Sequence, residues 1–127
     1  MCYFNYHHRT SSSGVIKFAR DSGSSASCGY SQATGIFTTQ IPGLYYFAIH
    51  VVGSNQNTRV QILIDGKFGC EAWSPDDPSN AYQGTATCSV VRELKVHQKV
   101  HVQVLMGAIS YYGSYTTQNI FQGFLVR

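Results

Sequence analysis

Thr34-Gly35-Ile36-Phe37-Thr38-Thr39-Gln40-Ile41-Pro42-Gly43-Leu44-Tyr45-Tyr46-Phe47 is the stretch whose reading decides the fold. Ile36, Phe37 and Thr38 are β-branched or aromatic and favour an extended backbone. Pro42 presets its own φ and Gly43 tolerates positive φ, so the pair predicts a type II turn. A second, aromatic-rich strand follows. From Leu44 to Val52 the chain is apolar at both parities except at His50, which predicts a strand buried on both faces at the centre of a sheet.

The same reading extends outward in both directions. Val100, Val102, Val104 and Met106 alternate with Lys99, His101, Gln103 and Leu105, the cleanest period of two in the chain. Val60, Ile62 and Ile64 alternate likewise before Asp65-Gly66, a strong short hairpin signal. Further strands are predicted at Cys2–His8, Val15–Arg20, Lys67–Ala72, Thr85–Leu94 and Asn119–Arg127. Loops are predicted at Thr10–Gly14, Asp21–Gly29, Gly53–Asn57, Ser74–Gln83 and Gly107–Gln118. No window carries a helical apolar period, so the chain reads as all-β.

Composition agrees. The 127 residues suffice for one domain, 1–127, with a core of its own. Only 12% of them are charged, and 14 Ser, 9 Thr, 5 Asn and 9 Gln take the place of the missing charge. Disorder is excluded by the aromatics, and a helix bundle would need far more Glu and Lys. The nine basic residues never form a run, and the net charge is only +3, which predicts no nucleic-acid partner. No apolar stretch is long enough to span a membrane. Met1–His8 has neither a basic nor an apolar leader region, which predicts that no signal peptide is present.

The quoted block resembles the signature of C1q-like domains. That pattern runs Thr-Gly, x, Phe-Thr, three residues, Pro-Gly, x, Tyr, x, Phe, matched here by Thr34-Gly35, Phe37-Thr38, Pro42-Gly43, Tyr45 and Phe47. Cys2–Tyr6 is similar to the family's first strand, and Phe121-Gln122-Gly123-Phe124-Leu125 to its closing Phe-x-Gly-Phe-Leu. Leu94 and Val100 sit where the family has Leu-x-x-Gly-Asp-x-Val, but His97-Gln98 replaces the Gly-Asp, removing a turn glycine and a carboxylate. With Cys2–Tyr6 read as the first strand, a chain without a collagen stalk is expected, similar to stalkless single-module chains such as the defence lectins of bivalve molluscs. The resemblance implies a ten-stranded jelly roll of two antiparallel sheets, assembled as a trimer, either a homotrimer or a heterotrimer with a paralogous chain. Strands apolar on both faces agree, since they offer more apolar surface than one core can hide.

No catalytic motif is present, and the six acids Asp21, Asp65, Glu71, Asp76, Asp77 and Glu93 are dispersed apart from one adjacent pair. The sequence reads as a binding protein and not an enzyme. His7 and His8 point to opposite sides of a strand, and His97 and His101 flank a turn, so no metal or other cofactor is expected. Asp76, Asp77 and Asn80 are oxygen donors in one loop, but calcium takes six or more ligands.

Four cysteines allow three pairings. Cys70 and Cys88 lie in consecutive predicted strands, and if those strands pair their sulfurs face each other. A Cys70–Cys88 bond would contribute about 3 kcal/mol on the chain-entropy estimate. Cys2 and Cys28 are left to pair together, or Cys2 to link to another chain.

Trp73, Asp76, Asp77, Asn80 and Tyr82 form one candidate ligand loop, stiffened by Pro75 and Pro78. Tyr111, Tyr112 and Tyr115 form a second, with the rigid-aromatic and small-polar composition of a paratope. Flat rings suit sugar C–H faces, and amides and carboxylates suit hydroxyl or acetamido groups. With the secreted setting that the resemblance implies, this predicts a lectin for N-acetylhexosamine or sialylated glycans, gaining avidity from three copies. A cytokine-like or scaffold protein that binds another protein is the competing reading.

Overall fold

The computed structural model describes residues 3–8, 12–20, 28–53, 57–75, 85–109 and 119–127. Among these residues all regular structure is strand: β1 (Tyr3–His8), β2 (Ser12–Val15), β3 (Ala19–Arg20), β4 (Tyr30–Ser31), β5 (Ile36–Thr38), β6 (Gly43–Val52), β7 (Thr58–Ile64), β8 (Lys67–Ser74), β9 (Thr85–Leu94), β10 (Lys99–Ile109) and β11 (Asn119–Leu125). One sheet runs β3-β1-β11-β6-β9 and the other β4-β5-β10-β7-β8, with β2 added along β10. All pairings are antiparallel, and the two sheets pack as a jelly roll. The central position expected for Leu44–Val52 is the position of β6, flanked by β11 and β9.

Strand alternation builds an aromatic core between the sheets. Phe4, Tyr6, Phe47 and Phe121 point inward from one sheet, and Tyr30 and Phe37 from the other, all almost fully buried. Phe4 is the hub, with the rings of Tyr6, Tyr30, Phe37, Phe47 and Phe121 centred between 5.1 and 6.3 Å from its own. Those are the separations at which aromatic pairs attract beyond simple burial. Gly123 makes the hub possible, because a Cβ there would stand 2.8 Å from both the Phe4 and the Phe47 ring.

Several details depart from the sequence reading, among them eleven strands in the described residues where ten were implied, and β2 starting at Ser12 inside the predicted Thr10–Gly14 loop. The Val15–Arg20 strand is broken at 16–18, because the chain crosses there from the β10 side to the β1 side. Ile16 and Phe18 fill the gap between the sheets, and the Phe18 N–H donates to the Tyr30 hydroxyl at 2.8 Å. Burial pushes the Tyr30 phenol well above its ordinary range. Pro42-Gly43 does not form a type II turn. Gly43 is already extended within β6, and the carbonyl of Arg127 comes so near that a Cβ would sit 2.6 Å from it. Close approach together with a φ of 158°, and not a type II turn, selects the glycine. β8 runs on to Ser74, which places Trp73 on a sheet and not in a loop. β10 continues to Ile109, three residues into the predicted loop.

Asp65 and Gly66 both have left-handed φ, 52° and 75°, as a type I′ hairpin requires. His97 also has a left-handed φ of 70° in the turn between β9 and β10. The glycine of the resembled pattern therefore met a real conformational demand, which His97 meets under strain. Gln98 takes over the tethering. Its Oε1 accepts from the Lys95 N–H at 2.6 Å, and its Nε2 donates to Asp65 Oδ2 at 2.8 Å. Hydrogen bonds from the Lys99 N–H and Gln98 hold the Asp65 carboxyl below the usual carboxylate range.

Cys70 and Cys88 are bonded, with Cα atoms 6.0 Å apart. Their strands do not pair as the sequence argument supposed. β8 ladders with β7 and β9 with β6, so the bond crosses from sheet to sheet at one flank. Cys28 is also disulfide-bonded.

His97→Gly should relieve the turn and raise stability by about 1 kcal/mol, a rise of about 4 °C in Tm by calorimetry. Gly123→Ala should do the reverse, costing about 1–3 kcal/mol as two core rings are forced apart. An unchanged denaturation midpoint would contradict the packing described for Phe4.

Candidate functional site

Beside the ends of β7, β8 and β10, three outward residues stand in one row: Trp73, Arg59 opposite it, and Met106 opposite Arg59. Trp73 is 50% exposed although it lies within a strand, because its parity is outward and its neighbours Ala72 and Ser74 take the inward places. The Arg59 guanidinium lies 4.8 Å from the centre of the indole, a cation–π contact. The indole N–H donates to Asn57 Oδ1, and Asn57 Nδ2 donates to Met106 Sδ at 3.1 Å.

One row further along, Glu71 accepts from Arg59 Nη1 at 3.2 Å and from Gln61 Nε2 at 3.1 Å. Gln103 lies across from Gln61, and its Oε1 is 3.2 Å from His101 Nε2. The Arg59–Glu71 pair is partly exposed, so it fixes geometry more than it adds stability. The result is a flat aromatic and amide surface whose side chains are held by one another before any ligand arrives. Both Glu71 oxygens are engaged, so this surface suits stacking and hydrogen bonding and offers no poised base.

The outer face of the other sheet is different. Tyr3, Phe124, Tyr46 and Val91 are register partners across four strands, which makes one apolar stripe. The Tyr46 and Phe124 rings are centred 5.0 Å apart, and Val91 is 54% exposed. Beside the stripe lies a depression of about 280 Å³ lined by Tyr46, Ala48, His50, Thr87, Ser89 and Gln122.

Of the sequence candidates, only Trp73 and the cysteine pair fall among the described residues. Asp76, Asp77, Asn80, Tyr82, Tyr111, Tyr112 and Tyr115 lie outside them. The sequence reading missed Asn57, Arg59, Gln61 and Glu71, although the last three share outward parity with Trp73, Glu71 on β8 itself and Arg59 and Gln61 on the neighbouring β7. Among the described residues no three His, Cys, Asp or Glu side chains are grouped to hold a metal ion.

Comparison with known proteins places this architecture. The model of the C1q domain matches residues 3–126. Complement C1q tumor necrosis factor-related protein 5 of Homo sapiens is 34% identical over 106 residues, covering 76% of this chain and 40% of that protein. The collagen alpha-1(X) chain of Mus musculus is 32% identical over 98 residues, covering 76% of this chain and 14% of its own length. The chain thus spans well under half of these relatives. The globular domain of zebrafish complement 1qA superposes with a TM-score of 0.76 over 98% of this chain and 97% of that one, at 16% identity. Signature block, closing strand, jelly roll and family match agree, and the chain belongs to the C1q domain family.

Proposed function

We propose that this chain is a secreted recognition module that binds carbohydrate multivalently as a trimer, with Trp73 at the centre of the site. The observation that carries the reading is the half-exposed indole locked by Asn57 and Arg59 beside a ready network of Glu71 and Gln61. An aromatic plane with fixed amides and a guanidinium around it matches the C–H face and the hydroxyl or acetamido groups of an N-acetylated sugar. Pre-ordering lowers the entropy lost on binding. The disulfides favour an oxidising, extracellular setting. The residues Asp76, Asp77, Asn80, Tyr82, Tyr111, Tyr112 and Tyr115 belong to the same proposal as flanking contacts, and no metal or other cofactor is invoked.

The apolar stripe of Tyr3, Phe124, Tyr46 and Val91 is assigned to contact between subunits, whether identical or paralogous. Trimers are typical of the family, and an exposed aromatic row of this kind resembles a core cut in half. A protein ligand is the second reading. It is favoured by Met106, about half exposed and bonded to the Asn57 that holds the indole, which with the half-exposed Leu105 before it adds apolar surface to this face.

Three expectations follow from the family and from these two surfaces taken together. Light scattering should give about 42 kDa, three copies of a 14.0 kDa chain. Val91→Arg should shift that mass toward one copy. Trp73→Ala should weaken glycan-array binding by about 2 kcal/mol, roughly 30-fold, with the fold and mass intact. Binding of glycans unaltered by Trp73→Ala would move the ligand elsewhere, and retention of a purified protein partner but no glycan would favour the second reading.

A further inference from the structure

The end of the sandwich opposite Trp73 has its own character. It is built from the 39–42 segment, the Asp65-Gly66 hairpin, the turn between β9 and β10, and the closing residues 126–127. These are tied together by backbone bonds of Thr39 with Gln98 and His97, Asp65 with Lys99, and Leu44 with Arg127 and Val126. The Tyr45 hydroxyl donates to the Ile41 carbonyl at 2.6 Å and fixes that segment further.

Charge is gathered there. Among the described residues, Lys67, Arg92, Lys95, Lys99 and Arg127 belong to this end, against Asp65 and Glu93. One of its two carboxylates is already engaged, since Asp65 accepts from Lys99 and Gln98. Within the cationic ring stand three exposed aliphatic tips, Ile41 at 54%, Val126 at 48% and Val96 at 42%.

We propose that this end docks peripherally on an anionic phospholipid surface. The lysines meet headgroup phosphates and carboxylates, and the three aliphatic tips settle just beneath them. A soluble polyanion would answer the charge but leave the tips in water; a lipid interface answers both. The contact is interfacial and spans nothing. It stands on a different pole from Trp73 and does not depend on the glycan reading.

Flotation of the intact protein with vesicles of phosphatidylcholine plus phosphatidylserine, and with phosphatidylcholine alone, tests it. The protein should float only with the anionic vesicles, and less as salt rises. Lys67→Gln with Lys95→Gln should lower partitioning about 30-fold. Ile41→Ser with Val126→Ser should lower it several-fold while leaving heparin retention unchanged, and Trp73→Ala should float as the parent does. No flotation of the parent protein with anionic vesicles would overturn the proposal, without any need for a variant to fold. So would apolar variants that float like the parent, a result that marks the end as a polyanion site.

Discussion

Everything in this sandwich is arranged around a missing side chain. Gly123 on β11 leaves room for the Phe4 and Phe47 rings to meet beneath it, and a single Cβ would stand within 2.8 Å of both. Phe4 can then touch five other rings drawn from both sheets. That contact holds β1 beside β11 and β11 beside β6, the order from which the rest of the five-stranded sheet is built. With the inward positions committed to aromatic packing, every other residue of these strands is delivered outward, and the outer faces inherit what the core does not take.

The two outer faces received opposite inheritances. On the β7–β8–β10 side the outward residues are Trp73 and a set of amides and paired charges that satisfy one another. On the β1–β11–β6–β9 side they include an apolar row in which Tyr3 and Val91 are exposed and Tyr46 and Phe124 half-buried. A single domain thereby carries a surface suited to ligand and one suited to its own kind. The division needs no special structure beyond strand alternation and the order of strands.

Much of this was legible in the sequence. Thr85–Leu94 matches β9 at both ends, and the Asp65-Gly66 hairpin and the central place of Leu44–Val52 follow from local chemistry alone. What escaped were features set at a distance. Nothing near Gly43 announces that the backbone of Arg127 will press against it. Nothing near Val15–Arg20 announces that the chain changes sheets there, since both Ile16 and Phe18 are buried whichever sheet holds them. The site was legible only at Trp73. Arg59 and Glu71 are separated from each other by 12 residues, and they become neighbours only through the register of β7 against β8. The cationic end escaped for the same reason, because its members are contributed singly by segments far apart in the chain.

The cross-sheet bond at Cys70 and Cys88 makes the two flanks of the sandwich unequal. At one flank the edge strands β8 and β9 are eight and ten residues long and covalently tied. At the other, β3 and β4 are two residues each. The two-residue strands β3 and β4 are held by few ladder bonds and open first among the described strands, even with the Cys28 disulfide beside β4, while the Cys70–Cys88 flank behaves as the spine of a book. Amide protons of β6 and β11, which are bonded on both sides, exchange last in such an arrangement, and those of Ala19, Arg20, Tyr30 and Ser31 before the other described strands. The Trp73 surface, carried next to the spine, keeps its geometry while the far edge opens and closes.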